Sequence, residues 1–355
     1  MQFANNTYSH NFFKRSKPII VFISLLVFTF VTSMISGTQW AFKNFYEVSN
    51  WHYGFEYAVL IMFFLSAHEF GHYFAARLHK VDASLPYYIP FPFTFTINFG
   101  TFGAVIKTKT PIPSRKALFD IGVSGPIAGF IVCTLYLIYG LSTLPGIDFI
   151  YHIHPDYITN LGGAIPRPGL YFGDTLYFHL LSDIFANPNG FLPPMNEIYH
   201  YPFLNVGWFG LFVTSLNMLP MGQLDGGHTT YSMFGSKVHY IISRSIFQIL
   251  LIIGIFAALG ALFIFFQTDI DSNVFYFAKG IFYPPLSFIN DHLPILYKGW
   301  SGWLLWAVLA KYAIKLKHPP VDDNSPLNPM RMAIGVFALI ILFLSFSLNG
   351  IYFIE

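Results

Sequence analysis

Residues 68–72 read His68-Glu69-Phe70-Gly71-His72, and they lie inside an apolar run from about Gly54 to Leu78. If that run is an α-helix, the two histidines lie on one face, about 6 Å apart along the axis. Two imidazoles so placed can bind one zinc ion, with Glu69 beside the metal as general base. The alternative is an amphipathic helix with incidental histidines. Ionisable residues are costly inside a membrane, so their place in this long apolar run favours the metal site.

The composition indicates an integral membrane protein. Of the 355 residues, 54% are hydrophobic and 10% are charged, whereas soluble domains carry roughly 25% charged residues. Mean hydropathy is +0.53. The net charge of +2 gives no sign of a nucleic-acid partner, and we expect none. The single cysteine, Cys133, excludes an internal disulfide.

Apolar runs predict an all-α polytopic fold with about seven transmembrane helices. The first run, from Pro18 to Ile35, is long enough to span and lacks a small-residue cleavage site, so we interpret it as a span and not as a signal peptide. The predicted spans are residues 18–37, 54–79, 117–142, 203–221, 239–266, 301–317 and 332–353. The fourth span is the most interrupted, since it contains Gly207, Gly210 and Pro220.

The distribution of lysine and arginine predicts the orientation of these spans. Basic residues precede the first span and follow the second, whereas the segment 143–202 has no lysine, one arginine and five acidic residues. We therefore expect a cytoplasmic N-terminus, an exterior segment 143–202 and an exterior C-terminus. The membrane we expect is the bacterial cytoplasmic (inner) membrane. The histidine pair then lies toward the cytoplasmic side.

The connection from Leu85 to Thr110 is predicted to form β-structure, because it is rich in Phe, Tyr, Thr, Ile and Val. Gly100-Thr101-Phe102-Gly103 lies within it and suggests a hairpin bend or a close backbone approach. Its apolar, aromatic character predicts a re-entrant, β-hairpin-like segment that dips into the membrane. The alternative is an aromatic surface loop.

The segment 143–202 is rich in Gly, Pro, Asn and Tyr, which predicts a small irregular cap outside the membrane. His152 and His154 in this segment could form a second metal site. Exposed loop histidines are more often simply solvated, and we favour that interpretation here.

A catalytic zinc usually takes three protein ligands and keeps a position for water. Glu197 and Glu355 are the glutamates that follow Glu69, and neither is placed to reach a site near the cytoplasmic side. The remaining candidate is Asp225, which is flanked by glycines where a helix must break. The alternative is an aspartate that caps a new helix.

Taken together, these motifs resemble the site-2 protease family of intramembrane zinc metalloproteases. The resemblance covers about residues 54–240. Within the family, the chain is similar to the branch whose members lack a PDZ domain. The matching segments are His68–His72, Asn217-x-x-Pro220, Leu224-Asp225-Gly226-Gly227, Gly100–Ala104, and Ala117–Pro126 with Gly129.

The resemblance implies that His68, His72 and Asp225 bind Zn²⁺ and that Glu69 is the catalytic acid and base. It implies that Asn217 positions substrate or stabilises the oxyanion, although an interhelical hydrogen bond is an alternative. The substrates would be transmembrane proteins within the lipid bilayer, cleaved in or near their membrane segments. The β-prone segment would bind them as an added strand, through Gly100, Thr101, Phe102 and Gly103.

Several secondary expectations accompany this interpretation. Asp120 is predicted to be structural at the start of the third span, and His228 to be a surface residue or a neighbour of the metal ligands. Gly122, Ser124, Gly125 and Gly129 are predicted to permit close helix packing.

The chain divides into an N-terminal part (1–53), a catalytic core (54–240) and C-terminal helices (241–355). Two other functions remain open, namely a membrane metal transporter and an inactive, protease-like scaffold. A transporter would need further ligands on a neighbouring span, and the intact Glu69 argues against the scaffold.

Overall fold

Long α-helices dominate the protein, whose computed structural model describes residues 4–93 and 98–354, with side chains from residue 18 onward. The helices are α1 (Ala4–Trp40), α2 (Phe55–Leu78), α3 (Arg115–Ser142), α4 (Asp148–Ile153), α5 (Pro155–Leu161), α6 (Leu176–Phe185), α7 (Pro202–Met218), α8 (Asp225–Gln267), α9 (Asn273–His292), α10 (Gly302–Leu309) and α11 (Pro329–Ser345). The strands are β1 (Tyr87–Pro90), β2 (Thr101–Val105), β3 (Gly169–Phe172) and β4 (Ile351–Ile354).

Among the described residues, four helical stretches are long and apolar enough to cross a membrane: Pro18–Trp40, Val48–Leu78, Arg115–Ser142 and Asp225–Gln267. Gly302–Ile314 and Pro329–Ser345 are shorter apolar helices. The mainly helical membrane architecture agrees with the sequence. Seven spans remain a prediction, because the fourth, sixth and seventh predicted spans are not among these four stretches.

Helices α8, α9 and α11 differ from the prediction. The last helix, α11, ends at Ser345, because the chain then turns into strand β4. Helix α9 was not predicted, and it runs through the adjacent Pro284 and Pro285. Helix α8 is broken at Gly235, where φ is 80°, so the predicted boundary at residue 240 falls inside the second half of this helix.

The predicted β segment contains an antiparallel pair, in which Tyr87 lies opposite Val105 and Tyr88 opposite Ala104. The pair packs against α1 and α2, and the Tyr88 hydroxyl is 2.7 Å from the Ser66 hydroxyl of α2. Residues 94–97 of this segment lie outside the described part of the chain. The hairpin therefore has the predicted pairing, and its entry into the membrane remains a proposal.

The segment 143–201, which we call the cap, is more regular than expected because it contains α4, α5, α6 and β3. Strand β3 pairs antiparallel with β4 from the end of the chain, with Leu170 opposite Phe353. The carboxyl end of α3 and the amino end of α7 adjoin the cap in sequence, and His200 of the cap forms a hydrogen bond with the Trp40 carbonyl oxygen at the end of α1. The cap therefore lies at one end of the helix assembly, and α8 begins toward the other end.

Helix α3 is the central element and packs against α2, α7 and α8. It begins at Arg115, where the Ser114 side chain accepts a hydrogen bond from the Ala117 amide. We expected Asp120 at the start of this helix, but the helix begins five residues earlier. The Asp120 carboxylate accepts two hydrogen bonds from the Arg331 guanidinium, at 2.8 and 2.7 Å, and so ties α3 to α11.

Candidate metal centre

Helix α2 carries His68, Glu69 and His72 to the interior of the protein, where they are 4%, 6% and 7% exposed. Close contact with α3 holds this face in place. A methyl group at Gly125 of α3 would overlap the imidazole of His72, and one at Gly71 would lie 2.7 Å from the Ser124 carbonyl oxygen. The two glycines therefore give the His72 ring and the α2 backbone the space they need, as expected for small residues at a membrane helix interface.

Asp225 reaches the same point from the turn between α7 and α8. This turn needs glycine at residue 222, where φ is +51° and a Cβ atom would overlap the Lys315 carbonyl oxygen. Asp225 is the first residue of α8. Its Oδ2 atom lies 3.5 Å from His68 Nε2 and 3.4 Å from His72 Nε2.

The triad of His68, His72 and Asp225 is the set that the sequence predicted as metal ligands. The two Nε2 atoms are 3.1 Å apart, so the three donor atoms form a nearly equilateral triangle. Tetrahedral ligands about 2.1 Å from zinc lie about 3.4 Å from one another. Two imidazoles and one carboxylate with this spacing therefore fit a zinc ion that keeps a position for water.

Hydrogen bonds orient the ligands. His72 Nδ1–H donates to the Ile121 carbonyl oxygen at 2.6 Å, which leaves the Nε2 lone pair directed into the triad. Asn217, near the end of α7, places its side-chain nitrogen 3.3 Å from His68 Nε2. The structure thus brings all five predicted catalytic and ligand residues together, counting Glu69, which lies between the two histidines on α2.

A cavity of about 530 Å³ opens onto this group. Glu69 and Asn217 line it together with the triad. One wall comes from the hairpin, through Ala104, Val105 and Ile106. The cavity therefore connects the triad to the carboxyl end of strand β2.

The four residues predicted to bind substrate lie farther along the same strand and do not line this cavity. Gly100 contacts α1, since a Cβ atom there would overlap the backbone of Ser33 and its carbonyl oxygen accepts from the Thr32 hydroxyl at 2.6 Å. Thr101 donates its hydroxyl hydrogen within the hairpin. Phe102 stacks edge-on against Phe91 and remains 66% exposed. Substrate binding by residues 100–103 therefore remains a proposal.

Sequence reasoning missed the residues that enter the cavity from the segment after α10. His318 lines the cavity, and its Nε2 is 2.7 Å from Nδ1 of His228. His228 is half-buried beside the triad, in agreement with a neighbour of the metal ligands. Nothing in the local sequence links residue 318 to residue 228, because their contact depends on the path of the whole C-terminal third.

In the cap, the structure separates the two histidines considered for a second metal site. His152 is exposed and bonds to the Asp148 carbonyl oxygen. His154 is buried and lies beside His200 and Glu197. Burial raises the pKa of Glu197 to about 7 and lowers the pKa of His200 to about 3. We call these three residues the cap cluster.

The family comparison agrees with the geometry of the triad. Residues 56–261, more than half of the chain, match peptidase family M50. The chain belongs to peptidase family M50. The resemblance to site-2 proteases is therefore confirmed, and the peptidase family agrees with the zinc metalloprotease class that it implied.

Relatives of this M50 chain include a probable zinc metalloprotease, EGY1, of the chloroplast of Arabidopsis thaliana. It is 32% identical over 170 residues, which are 48% of this chain and 28% of the relative. The rice EGY1 protein (Oryza sativa subsp. japonica) is 31% identical over 183 residues, covering 52% of this chain and 28% of the relative. The probable zinc metalloprotease EGY2 of Arabidopsis is 27% identical over 182 residues, which are 51% of this chain and 29% of the relative.

The M50 chain therefore aligns with less than a third of each of these relatives. Their names place them in chloroplasts and give no support to the expected bacterial membrane. No solved structure shows a significant match.

Proposed function

We propose that this M50 chain is an intramembrane zinc metalloprotease that hydrolyses peptide bonds in or near the transmembrane segments of other proteins. The observation that carries the proposal is the convergence of His68 Nε2, His72 Nε2 and Asp225 Oδ2 within 3.5 Å of one another. Glu69 adjoins this triad on the same helix. The cofactor is Zn²⁺, which suits this donor set and appears in the names of the relatives.

Glu69 is the general base in this proposal. A bound zinc ion would supply Lewis-acid activation of water and of the scissile carbonyl group. The Glu69 carboxylate accepts the proton of the attacking water and then gives it to the leaving amine. Its location one residue after His68 suits this role, because the side chain adjoins the metal without being one of the three converging donors.

Asn217 supplies an amide donor next to the triad. Its nitrogen lies 3.3 Å from His68 Nε2, so a carbonyl oxygen bound near the metal would lie within reach of the same N–H group. Such a donor stabilises the negative charge that develops in the tetrahedral intermediate. We propose this role for Asn217, with positioning of the substrate carbonyl as its ground-state counterpart.

Strand β2 supplies the binding edge. A helical substrate must unwind locally, and each backbone group left without a partner in an apolar setting costs several kcal/mol. Residues 104–106 line the cavity, and the first two of them belong to strand β2 of a two-stranded pair. We propose that substrate adds to this edge as a strand, with Ala104–Ile106 nearest the metal and Gly100, Thr101, Phe102 and Gly103 farther out.

The orientation proposed for the chain follows the distribution of basic residues. The N-terminus is cytoplasmic, the cap is outside, and the triad lies toward the cytoplasmic side. In support, the triad is built from the carboxyl-terminal half of α2 and the start of α8, away from the cap. The re-entrant hairpin and the seven spans belong to the same proposal.

Hydrolysis is favoured over the two alternatives. Membership of a peptidase family favours a protease over a metal transporter. The buried Glu69, adjoining the metal ligands, favours an active enzyme over an inactive scaffold, because a scaffold has no need of a base at this position.

The decisive variant is Glu69→Gln in the purified protein. We expect it to keep its zinc and to lose cleavage by at least about 100-fold, since an amide cannot accept the proton. Glu56→Gln, a change at an exposed glutamate in the first turn of the same helix, is the matched control and should cleave normally. Cleavage by Glu69→Gln at a rate near that of the wild type would refute the role of Glu69.

A further inference from the structure

The cap contains a second group of converging ligand atoms, far from the catalytic triad in sequence. Nε2 of His154 and Nε2 of His200 are 3.0 Å apart. Oε2 of Glu197 lies 3.4 Å from His200 Nε2 and 3.9 Å from His154 Nε2. The residues are 7%, 4% and 1% exposed, in the order His154, His200 and Glu197. Three potential donors therefore meet in a closed space.

The hydrogen bonds around this group direct lone pairs inward. His200 Nδ1–H donates to the Trp40 carbonyl oxygen at the end of α1, at 2.7 Å, so its Nε2 is free to accept. Glu197 Oε1 accepts from the Tyr157 hydroxyl at 2.9 Å. Within the described residues, Glu197 Oε2 is buried and has no hydrogen-bond partner. A buried carboxylate oxygen without a partner is costly, so this atom points to a missing cation or donor.

With Glu197 ionised and both imidazoles neutral, a metal-free arrangement does not satisfy this group. If His154 Nε2–H donates to His200 Nε2, the two rings satisfy each other and Oε2 of Glu197 still lacks a donor. A divalent cation at the centre would accept a lone pair from all three atoms at once. It would also offset the negative charge of the buried carboxylate.

The donor triangle in the cap resembles the catalytic one. Its sides are 3.0, 3.4 and 3.9 Å, against 3.1, 3.4 and 3.5 Å in the triad. Both sets match the spacing of about 3.4 Å between tetrahedral zinc ligands. Both consist of two imidazoles and one carboxylate, a combination that favours zinc and similar transition metals over calcium or magnesium.

We propose that the cap cluster binds a second zinc ion, through His154 Nε2, His200 Nε2 and Glu197 Oε2, with water as the fourth ligand. The ion joins the junction of α4 and α5 to the turn that precedes α7. Through the bond from His200 to Trp40, it also ties both to the end of α1. Its role is structural, because aromatic rings cover the His154 ligand. The Tyr157 ring stacks on this imidazole at 4.5 Å, and the Phe42 ring packs against it at 4.6 Å.

The test removes the catalytic metal site by substitution, so that any zinc that remains bound reports on the cap cluster. The full-length protein carrying His68→Ala and His72→Ala, which lacks two triad ligands, is purified after exposure to zinc, and its metal content is measured by plasma mass spectrometry. We expect about one zinc per chain, which is lost when Glu197→Gln is added. Adding His152→Ala, a change at the exposed histidine of the same segment, should leave the content unchanged.

A metal-free parent variant, or equal zinc content with and without Glu197→Gln, would overturn the proposal. A second variant guards against misfolding. His200→Cys, made in a Cys133→Ala background with the triad histidines also replaced, offers a thiolate at the same position. With Co²⁺ it should show a sulfur-to-metal charge-transfer band, and the absence of that band in folded protein would also count against the site. Both readouts are independent of proteolysis, so their failure leaves the proposed function standing.

Discussion

At the scale of single residues, the close contact between Gly125 and the His72 ring can be tested directly. A methyl group at this position would overlap the imidazole. We therefore expect Gly125→Ala to displace His72, to lower zinc content and to destabilise the fold by about 1–3 kcal/mol. Gly280→Ala is the matched control, since a Cβ atom there meets no atom of the described residues within 4 Å. Equal zinc content and melting temperature in the two variants would show that the helix contact is looser than described.

Asp225 is the third residue of the triad, and its assignment as a metal ligand can be tested separately. Asp225→Ala removes one of three converging donors, so the zinc content of the purified protein should fall well below that of the wild type. Asp269→Ala, at an aspartate whose side chain is 89% exposed beside Lys279, should have no effect on zinc content. Full zinc retention in Asp225→Ala would exclude it as a ligand.

At the scale of elements, strand β2 is the part whose role is most open to experiment. Proline at Ala104 or Val105 removes a backbone donor and should weaken strand addition by about 1 kcal/mol for each lost hydrogen bond. We expect cleavage of a membrane substrate to fall by roughly 5-fold or more while zinc content stays unchanged. Proline at Phe353, in the edge strand β4 away from the cavity, is the control.

Wild-type cleavage by these β2 variants would refute the strand-addition proposal. So would a crosslinker at Phe102 that never captures bound substrate. Residues 94–97, which precede this strand, lie outside the part of the chain that the structure describes, and no substitution is placed there.

Elements with local signals could be predicted from the sequence, and those with distant partners could not. The spacing of His68 and His72 on α2 is set within one helical turn, so it was predictable without tertiary information. Strand β4 pairs with β3 across about half of the chain, and helix α9 forms despite Pro284 and Pro285. The prediction therefore placed a helix where β4 lies and none where α9 lies.

The same distinction applies to the two metal sites. Asp225 was identified because glycines beside it form a recognisable motif. Glu197 was set aside as an exterior residue. Its partners, His154 and His200, approach it only after the cap folds against the end of α1. From the sequence, His154 was therefore the only member of the cap cluster considered as a metal ligand. It was paired with His152, which is not part of the cluster.

At the scale of the whole molecule, the orientation in the membrane is the main prediction. Asn160 is exposed in the cap, and Lys109 is exposed beyond the hairpin. Cysteines at these positions in a Cys133→Ala background should react from opposite sides of the membrane, the first from outside and the second from the cytoplasm. Labelling of Asn160→Cys from the cytoplasmic side alone would reverse the orientation.

The most direct test of the account is to locate the bond that the enzyme cuts. The purified protein, reconstituted with zinc in liposomes beside a single-span protein substrate, should release fragments whose new ends, mapped by mass spectrometry, lie within or at the edge of the apolar segment. Glu69→Gln should release none. Cleavage confined to the water-exposed domain of the substrate, or equal cleavage by Glu69→Gln, would contradict an intramembrane protease built on this triad.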